Sequence, residues 1–517
     1  MINIITEISK YLMVFLIIVY AYSCFSVFGY HDYEKKERIL NRQMHLMFTI
    51  HFVAFLNMFL IKWDVKIAGM YVVQVILLLL ISKLYTMIYP KVSRLVVNNM
   101  CMLLSIGFIM LTRLNYTRVV KQCIFAAVSM AVSMVVPVII RKVKQLSKLR
   151  VLYAVLGILS LGVVAVAAVT SDGAKLGFSF GGVSIQPSEL VKIVFVFFVA
   201  SSFAKSTTFK NVVVTTILAA FHVLILVASR DLGAALIIFV VYLVMLYVAT
   251  KQPLYMLAGI GSGAAASVAA YHLFGHVRTR VIVWKDPFAA YDNGGQQVAQ
   301  ALMAIGTGSW FGLGLFQGKP ESIPVVSEDF IFAAISEEMG LIFALCMILV
   351  CLSCYIMFLN IAMQLRDMFY KLVALGLGTC YIFQVFLTIG GVTKFIPLTG
   401  VTLPFVSYGG SSILSTFIMF AIIQGLYILR EDEEESIERE KARQLQREKR
   451  KGQQKRRMGA ARKKDARRPE ETRITKAPSR RGGYQRDYSI DEEIGAVVRE
   501  TLREKEDEGR KKKTRGE

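Results

Sequence analysis

DLGAALIIFVVYLVMLYVA, residues 231–249, decides the fold class. Its only charge is the carboxylate at the first position. It is close to the roughly 20 residues a helix needs to cross a hydrocarbon core about 30 Å thick. Lipid offers no partner for backbone polar groups, so such a run must satisfy itself as a helix. A closed barrel would need alternating strands, and this run does not alternate. Working outward, similar runs occupy 11–29, 44–61, 67–88, 97–112, 121–140, 151–170, 188–204, 211–228, 254–273, 329–358, 370–390 and 404–429, thirteen in all. The first exceeds a signal h-region of roughly 7–15 residues and is read as a span. The expected fold is all-α: a polytopic helical membrane bundle with thirteen transmembrane helices and a charged tail.

Composition agrees. Of 517 residues 55% are hydrophobic, above the roughly 45–50% of a soluble chain. Residues 1–429 carry 31 Lys and Arg against 16 Asp and Glu, whereas 430–517 carry 29 against 21, within a total net charge of +23. The stretch 441–481 alone holds 18 cations and 4 carboxylates, which predicts a solvated, mostly disordered tail. Attraction to anionic membrane lipids, about 1 kcal/mol per cation near the surface, is its expected role. Aromatic residues there are confined to Tyr484 and Tyr488, so nucleic acid is not an expected partner. Cations in the connections 30–43, 89–96, 141–150, 205–210, 250–253 and 359–369 fall on the same side as this tail. The positive-inside rule then predicts an outside N-terminus and a cytoplasmic C-terminus. Arg113 and Arg118 break the rule. The seven cysteines lie in or beside apolar runs, and Cys351 with Cys354 reads as a packed, reduced pair.

Polar residues are costly at membrane depth, about 2.5–3.5 kcal/mol for a central charge, so their clusters point to function or to pairing. The first is Gln186-Pro187-Ser188-Glu189-Leu190-Val191-Lys192, where Glu189 and Lys192 share a helix face. An ion pair with a purely structural role is the alternative to a polar site. The second is Arg230-Asp231-Leu232-Gly233, whose Asp suits a helix start. The third is the long connection 274–328, with Arg278, Arg280, Trp284, Lys285, Asp286, Asp292, Gln296, Gln297 and the run Gly306 to Gly314. It mixes cations that can hold a phosphate with carboxylates that can take a proton. The fourth is Lys394 through Ser412, broken by Pro397, Pro404, Gly409 and Gly410. Broken helix at that depth must be satisfied by protein or by a wet cavity. Zinc-protease, nucleophile-elbow and Walker A motifs are not in the sequence.

Taken in order, Gln186–Lys192, Asp231-Leu232-Gly233, Arg280–Pro287, Gly306–Gly318, Asp329–Phe332 with Glu337-Glu338, and Pro397–Ser412 resemble the polytopic bacterial peptidoglycan polymerases that include RodA, FtsW and SpoVE. The resemblance covers 97–430 as a ten-helix core, with 1–96 as three additional helices and 431–517 as a tail. It implies a glycosyltransferase of the cytoplasmic membrane that polymerises lipid II, a disaccharide-pentapeptide on undecaprenyl diphosphate, into glycan strands for elongation, division or sporulation. It implies a class B penicillin-binding protein and other cell-wall assembly proteins as partners. A divalent cation, Mg2+ or Mn2+, is compatible with it, although the sequence shows no dedicated ligand set. A lipid-linked-sugar transporter and a non-catalytic assembly scaffold are the competing readings.

The family carries a catalytic Asp seven residues before the Gln of a Gly-Tyr-Gln sequence. Here Gly295-Gln296-Gln297 takes that place and Ala290 stands where the Asp would be. Asp292, two residues later, is the first choice for the base, and Asp286, four residues earlier, is the second. The resemblance further implies that Arg280 and Lys394 hold the diphosphate. It implies that Glu189 and Lys192 form an inner polar pair, and that Gln186, Ser188, Gln297, Ser407 and Gly409 line the substrate path.

Overall fold

The structure, a computed structural model, describes residues 2–30, 32–167, 169–171, 174–180 and 183–465. They divide into two units, Met1–Leu429 and Arg430–Glu517. In the first, α1 (Ile2–Gly29), α2 (Tyr33–Lys62) and α3 (Val65–Ile88) precede α4 (Arg94–Leu114), α5 (Tyr116–Ser133), α6 (Val136–Lys142) and α7 (Arg150–Ala167). A small antiparallel sheet follows, in the order β1 (Val169–Ser171), β2 (Ala174–Phe180), β3 (Val183–Ile185). Then come α8 (Pro187–Lys205), α9 (Phe209–Ala228), α10 (Leu232–Thr250), α11 (Pro253–Leu273), α12 (Gly275–Lys285) and α13 (Gln296–Gly308). The last are α14 (Ile331–Met339), α15 (Leu341–Gln364), α16 (Met368–Val392) and α17 (Gly410–Asp465).

By length and composition twelve helices can cross a membrane, Tyr116–Lys142 counting as one. The chain is a multi-pass membrane protein. Three runs differ from their sequence reading. The run 151–170 gives only α7, which stops at Ala167 because the chain turns into β1. The run 121–140 starts earlier, at Tyr116, and breaks between Ser133 and Val136 ahead of Pro137, which has no N–H to offer the ladder. The run 329–358 is two helices. Gly340 sits between them at φ 93°, a left-handed value that a residue with a Cβ rarely adopts.

The core centres on α4, buried from Leu95 to Arg113. The helices α2, α3, α5 and α15 surround it, and α1 packs on α2 and α15. Polar links stitch the added N-terminal helices to it. Tyr20 Oη donates to Asn99 Oδ1 (3.1 Å), Asn98 Nδ2 to the Leu40 carbonyl (2.9 Å) and Gln74 Nε2 to Thr112 Oγ1 (3.0 Å). In a bundle, where apolar burial between helices gains little over lipid, such bonds help fix register. A second focus is α8, packed by α7, α9, α10 and α16. All seven cysteines are buried and free.

The two cations that broke the charge rule are neutralised by partners far away in sequence. Arg113 forks onto Glu338, Nε to Oε1 at 2.9 Å and to Oε2 at 3.1 Å, and also pairs with Glu321. Arg118 meets Glu328 at 3.2 Å and Ser327. Neither is a free surface cation of the kind the rule counts.

In the second unit the described residues, to Asp465, are helical, part of α17. The sequence composition predicted disorder there. Glu, Lys, Arg and Gln are strong helix formers, and pairs four apart such as Glu435 with Arg439 reinforce them. Residues 466–517 lie outside the described set.

Candidate active site

One end of the bundle collects the polar motifs. At the start of α10, Asp231 caps the helix: Ala234 N–H donates to Oδ1 at 3.1 Å. Its other oxygen accepts from Ser188 Oγ (2.8 Å) and Gln186 Nε2 (3.2 Å) at the start of α8. The first and second sequence clusters thus become one. On α12, Arg280 donates to the Thr399 carbonyl at 3.4 Å. Gly400, at φ 72°, follows, and a Cβ there would lie 3.4 Å from Asp329 Oδ2. Burial pushes the Asp329 carboxyl up to about 6, aided by the neighbouring Glu328 charge and opposed by Arg280. Burial likewise lowers the Arg280 guanidinium, against the pull of Asp329 and Asp231. Two carboxylates and one partly desolvated guanidinium are therefore within electrostatic reach of one another, an arrangement suited to holding an anionic oxygen and moving a proton.

Deeper in the bundle Lys192 Nζ donates to Glu189 Oε1 (3.0 Å) and to Gln384 Oε1 (2.8 Å), while Ser415 Oγ donates to Glu189 Oε2 (3.0 Å). Gln384 Nε2 continues to the Thr402 carbonyl at 3.0 Å. The pair ties α8, α16 and α17 to the 393–409 connection, and its oxygens and ammonium are all engaged. Removing one partner strands a buried charge, which costs about 3–5 kcal/mol. Lys192→Met is expected to lower the thermal unfolding midpoint sharply in detergent, with the double variant Lys192→Met, Glu189→Gln recovering part of the loss.

Other expected site residues are spread around this end. Ser407 bridges the Leu403 N–H (2.9 Å) and the Glu328 carbonyl, and Gly409 N–H donates to Gln122 Oε1 (3.2 Å). Both shape the broken segment. Lys394 is half-buried at φ 60°, and its carbonyl accepts from Trp284 Nε1 at 3.2 Å. Asp286 is exposed, and its Oδ1 accepts the Phe288 and Ala289 N–H groups at 3.1 and 3.0 Å. Its carboxylate is thus engaged in a turn. Asp292 is exposed on the 3-10 turn Tyr291–Asn293, and among the described residues no hydrogen bond or ion pair holds its side chain. Gln297 is half-buried in the first turn of α13. Ala290 is buried, and its carbonyl closes the turn by accepting from Asn293 and Gly295, both at 2.9 Å. A carboxylate at 290 would be driven inside.

Sequence reading gave no separate role to Asp329, Gln384, Ser415 or Gln122. The polar side chain of Gln384 inside the apolar run 370–390 was the available signal. For Asp329 there was none beyond its place in the Asp329–Phe332 motif.

A family model described as cell cycle protein, spanning FtsW, RodA and SpoVE, matches residues 87–431. The chain belongs to the FtsW/RodA/SpoVE family. Among similar FtsW/RodA/SpoVE proteins is the peptidoglycan glycosyltransferase RodA of Mycobacterium leprae, 34% identical over 360 residues, 65% of this chain and 77% of that protein. The RodA of Mycobacterium tuberculosis H37Rv is 37% identical over 322 residues, 59% and 69%. Stage V sporulation protein E of Bacillus subtilis is 31% identical over 262 residues, 48% and 70%. Among solved structures, a chain from work on polymerization and crosslinking by a peptidoglycan synthase complex superposes with TM-score 0.56 at 21% identity, over 66% of this chain and 98% of its own. The rod shape determining protein RodA of Thermus thermophilus gives 0.50 at 20%, over 65% and 96%. These two likenesses concern the FtsW/RodA/SpoVE fold. The helices α1, α2 and nearly all of α3 precede the matched region.

Proposed function

We propose that this chain is a peptidoglycan glycosyltransferase that polymerises lipid II at the outer face of the cytoplasmic membrane. The observation that carries the reading is the convergence of Asp231, Arg280 and Asp329, from the start of α10, from α12 and from just before α14, in a chain of this family. The N-terminus lies outside and the cationic C-terminal unit inside. The acceptor hydroxyl attacks the donor's anomeric carbon, the bond to the diphosphate breaks, and the hydroxyl proton passes to a carboxylate. Asp292 is that carboxylate, because its side chain is uncommitted and exposed; Asp286 is second, being engaged in its turn. Arg280 and Lys394 balance the departing diphosphate. Gln186, Ser188, Glu189, Lys192, Gln297, Ser407 and Gly409 shape the path. A divalent cation, Mg2+ or Mn2+, would supply charge balance to the diphosphate. Among the described residues no group of three or more His, Cys, Asp or Glu is placed to hold a metal, so the charge balance derived for this chain is that of Arg280 and Lys394. A class B penicillin-binding protein is the partner.

Asp329 supplies a second reading for the proton acceptor, favoured by its displaced pKa of about 6. A carboxyl with that value is ionised above pH 6 and takes up its proton below it. If the charged form serves the reaction, glycan synthesis falls as pH drops through 6, and Asp329→Asn both lowers the rate and removes that limb. The test is polymerisation of labelled lipid II by the full chain in vesicles, followed on gels between pH 5 and 8. Glycan strands support the reading. Headgroup translocation without polymer points to transport, and partner binding with neither activity points to a scaffold.

A further inference from the structure

Residues 309–319 lead away from α13 toward α14, and their backbone is unusual. Ser309, Gly312, Gly314 and Phe316 have positive φ, at 51°, 77°, 102° and 65°. Glycine takes such angles freely, whereas a bulky Phe keeps one only where its surroundings over-determine it. On one side the constraint is backbone. Gly312 N–H donates to the Gly308 carbonyl at the end of α13, and Leu313 and Gly314 N–H to the Glu337 and Glu338 carbonyls of α14, each at 2.9 Å. At the start of α15, Leu341 and Ile342 N–H donate to the Ser309 and Trp310 carbonyls at 3.0 and 3.2 Å. The segment therefore couples the ends of α13, α14 and α15.

The other side is supplied from α1 and α2, which lie wholly ahead of the family match at residue 87. The Tyr11 ring of α1 meets the Phe311 ring with centroids 5.3 Å apart. A Cβ on Gly314 would stand 3.4 Å from Cγ2 of the buried Thr6, so α1 lies against that backbone. This end of α1 is fixed to α2 in turn: Ser9 Oγ donates to the Thr6 carbonyl at 2.8 Å and accepts from Asn57 Nδ2 at 2.8 Å. At the end of α2, Lys62 Nζ lies over the Phe316 ring at 4.7 Å, and Arg113 at the end of α4 lies over it at 4.3 Å. Two cations thus hold the ring of the residue that carries the strained angle. We propose that α1 and α2 brace the 309–319 segment, and that Lys62 and Tyr11 are positioning residues for the chemistry at this end of the bundle. They act through α13, which the Asp292 turn precedes, and through α14, which follows Asp329. The role in the reaction rests on the glycosyltransferase reading; the brace itself does not.

The test pairs hydrogen–deuterium exchange of the full chain in lipid nanodiscs, read by mass spectrometry on peptides covering 309–319, with lipid II polymerisation in the same nanodiscs. Lys62 and Tyr11 are both exposed, so Lys62→Met with Tyr11→Ala is expected to keep the fold. Exchange over 309–319 is expected to quicken about tenfold in this double variant, the size of one or two ring contacts. Its kcat is expected to fall about tenfold with KM for lipid II unchanged, as for a misplaced rather than a missing group. Lys62→Arg keeps a cation over the ring and is expected to match wild type in both readouts, whereas Lys62→Met is not. Unchanged exchange overturns the brace. Faster exchange with unchanged kcat overturns its role in the reaction, and Lys62→Arg as impaired as Lys62→Met overturns the part given to the cation. Wild type that makes no polymer removes the glycosyltransferase reading alone, because exchange still decides the brace.

Discussion

Asp292→Asn is expected to cut lipid II polymerisation by at least 10²-fold, within the roughly 10²–10⁴-fold contribution of a positioned acid or base, and to leave the unfolding midpoint unchanged. The expectation follows from what the side chain does not do. Among the described residues it accepts no hydrogen bond and makes no ion pair, and it sits exposed on a short turn. The turn itself is held by backbone, through the Ala290 carbonyl. Asparagine there keeps shape and volume and removes only basicity. Asp286→Asn is the control. Its Oδ1 accepts two backbone N–H groups, which an asparagine oxygen also does, so the change should leave both rate and stability close to wild type. Rates come from timed gels of labelled glycan, and midpoints from thermal unfolding in detergent.

Arg113→Met is expected to have the largest effect on stability. The Arg113 and Glu338 side chains are 4% and 0% exposed, with Glu321 completing the group. Taking away the guanidinium leaves Glu338, whose carboxyl burial already raises to about 7, buried without its counter-ion and hydrogen-bond donor, at a cost of about 3–5 kcal/mol if it stays charged and less if it takes up a proton. The damage also reaches the segment ahead of α14. Leu313 and Gly314 donate backbone hydrogen bonds to the Glu337 and Glu338 carbonyls, each at 2.9 Å. Arg113 also lies over the Phe316 ring at 4.3 Å, with Lys62 of the N-terminal helices on the same ring at 4.7 Å. The single variant should lose most folded protein on size-exclusion chromatography. Arg113→Met with Glu338→Gln should recover much of it, because the stranded charge is gone. A double variant no better than the single one would show that the cation–ring contacts matter more than the charge pair.

The membrane bundle was legible because apolar runs of 16 to 30 residues leave the backbone one choice. Boundaries were less legible where one residue decides them. Gly340 ends a helix by adopting a positive φ inside an otherwise unbroken apolar run, and hydropathy carries no record of that angle. Arg113 looked like a violation of the charge rule because its partners are more than 200 residues away. The site was legible as a set of motifs but not as a geometry. Gln186 and Ser188 converge on Asp231 across 45 and 43 residues, and Asp329 gains its raised pKa only when folding buries it beside Glu328, against the pull of Arg280. In the tail, charge density carried no record of the helix that runs to Asp465, which its Glu, Lys, Arg and Gln residues favour.

The measurement that bears most directly on the central claim is a side-by-side reconstitution of wild type, Asp292→Asn and Asp329→Asn in vesicles with fluorescent lipid II and a class B penicillin-binding protein. The account predicts glycan ladders from wild type, none from Asp292→Asn, and from Asp329→Asn a slower ladder without the acid limb near pH 6. Ladders from Asp292→Asn equal to those of wild type would contradict it.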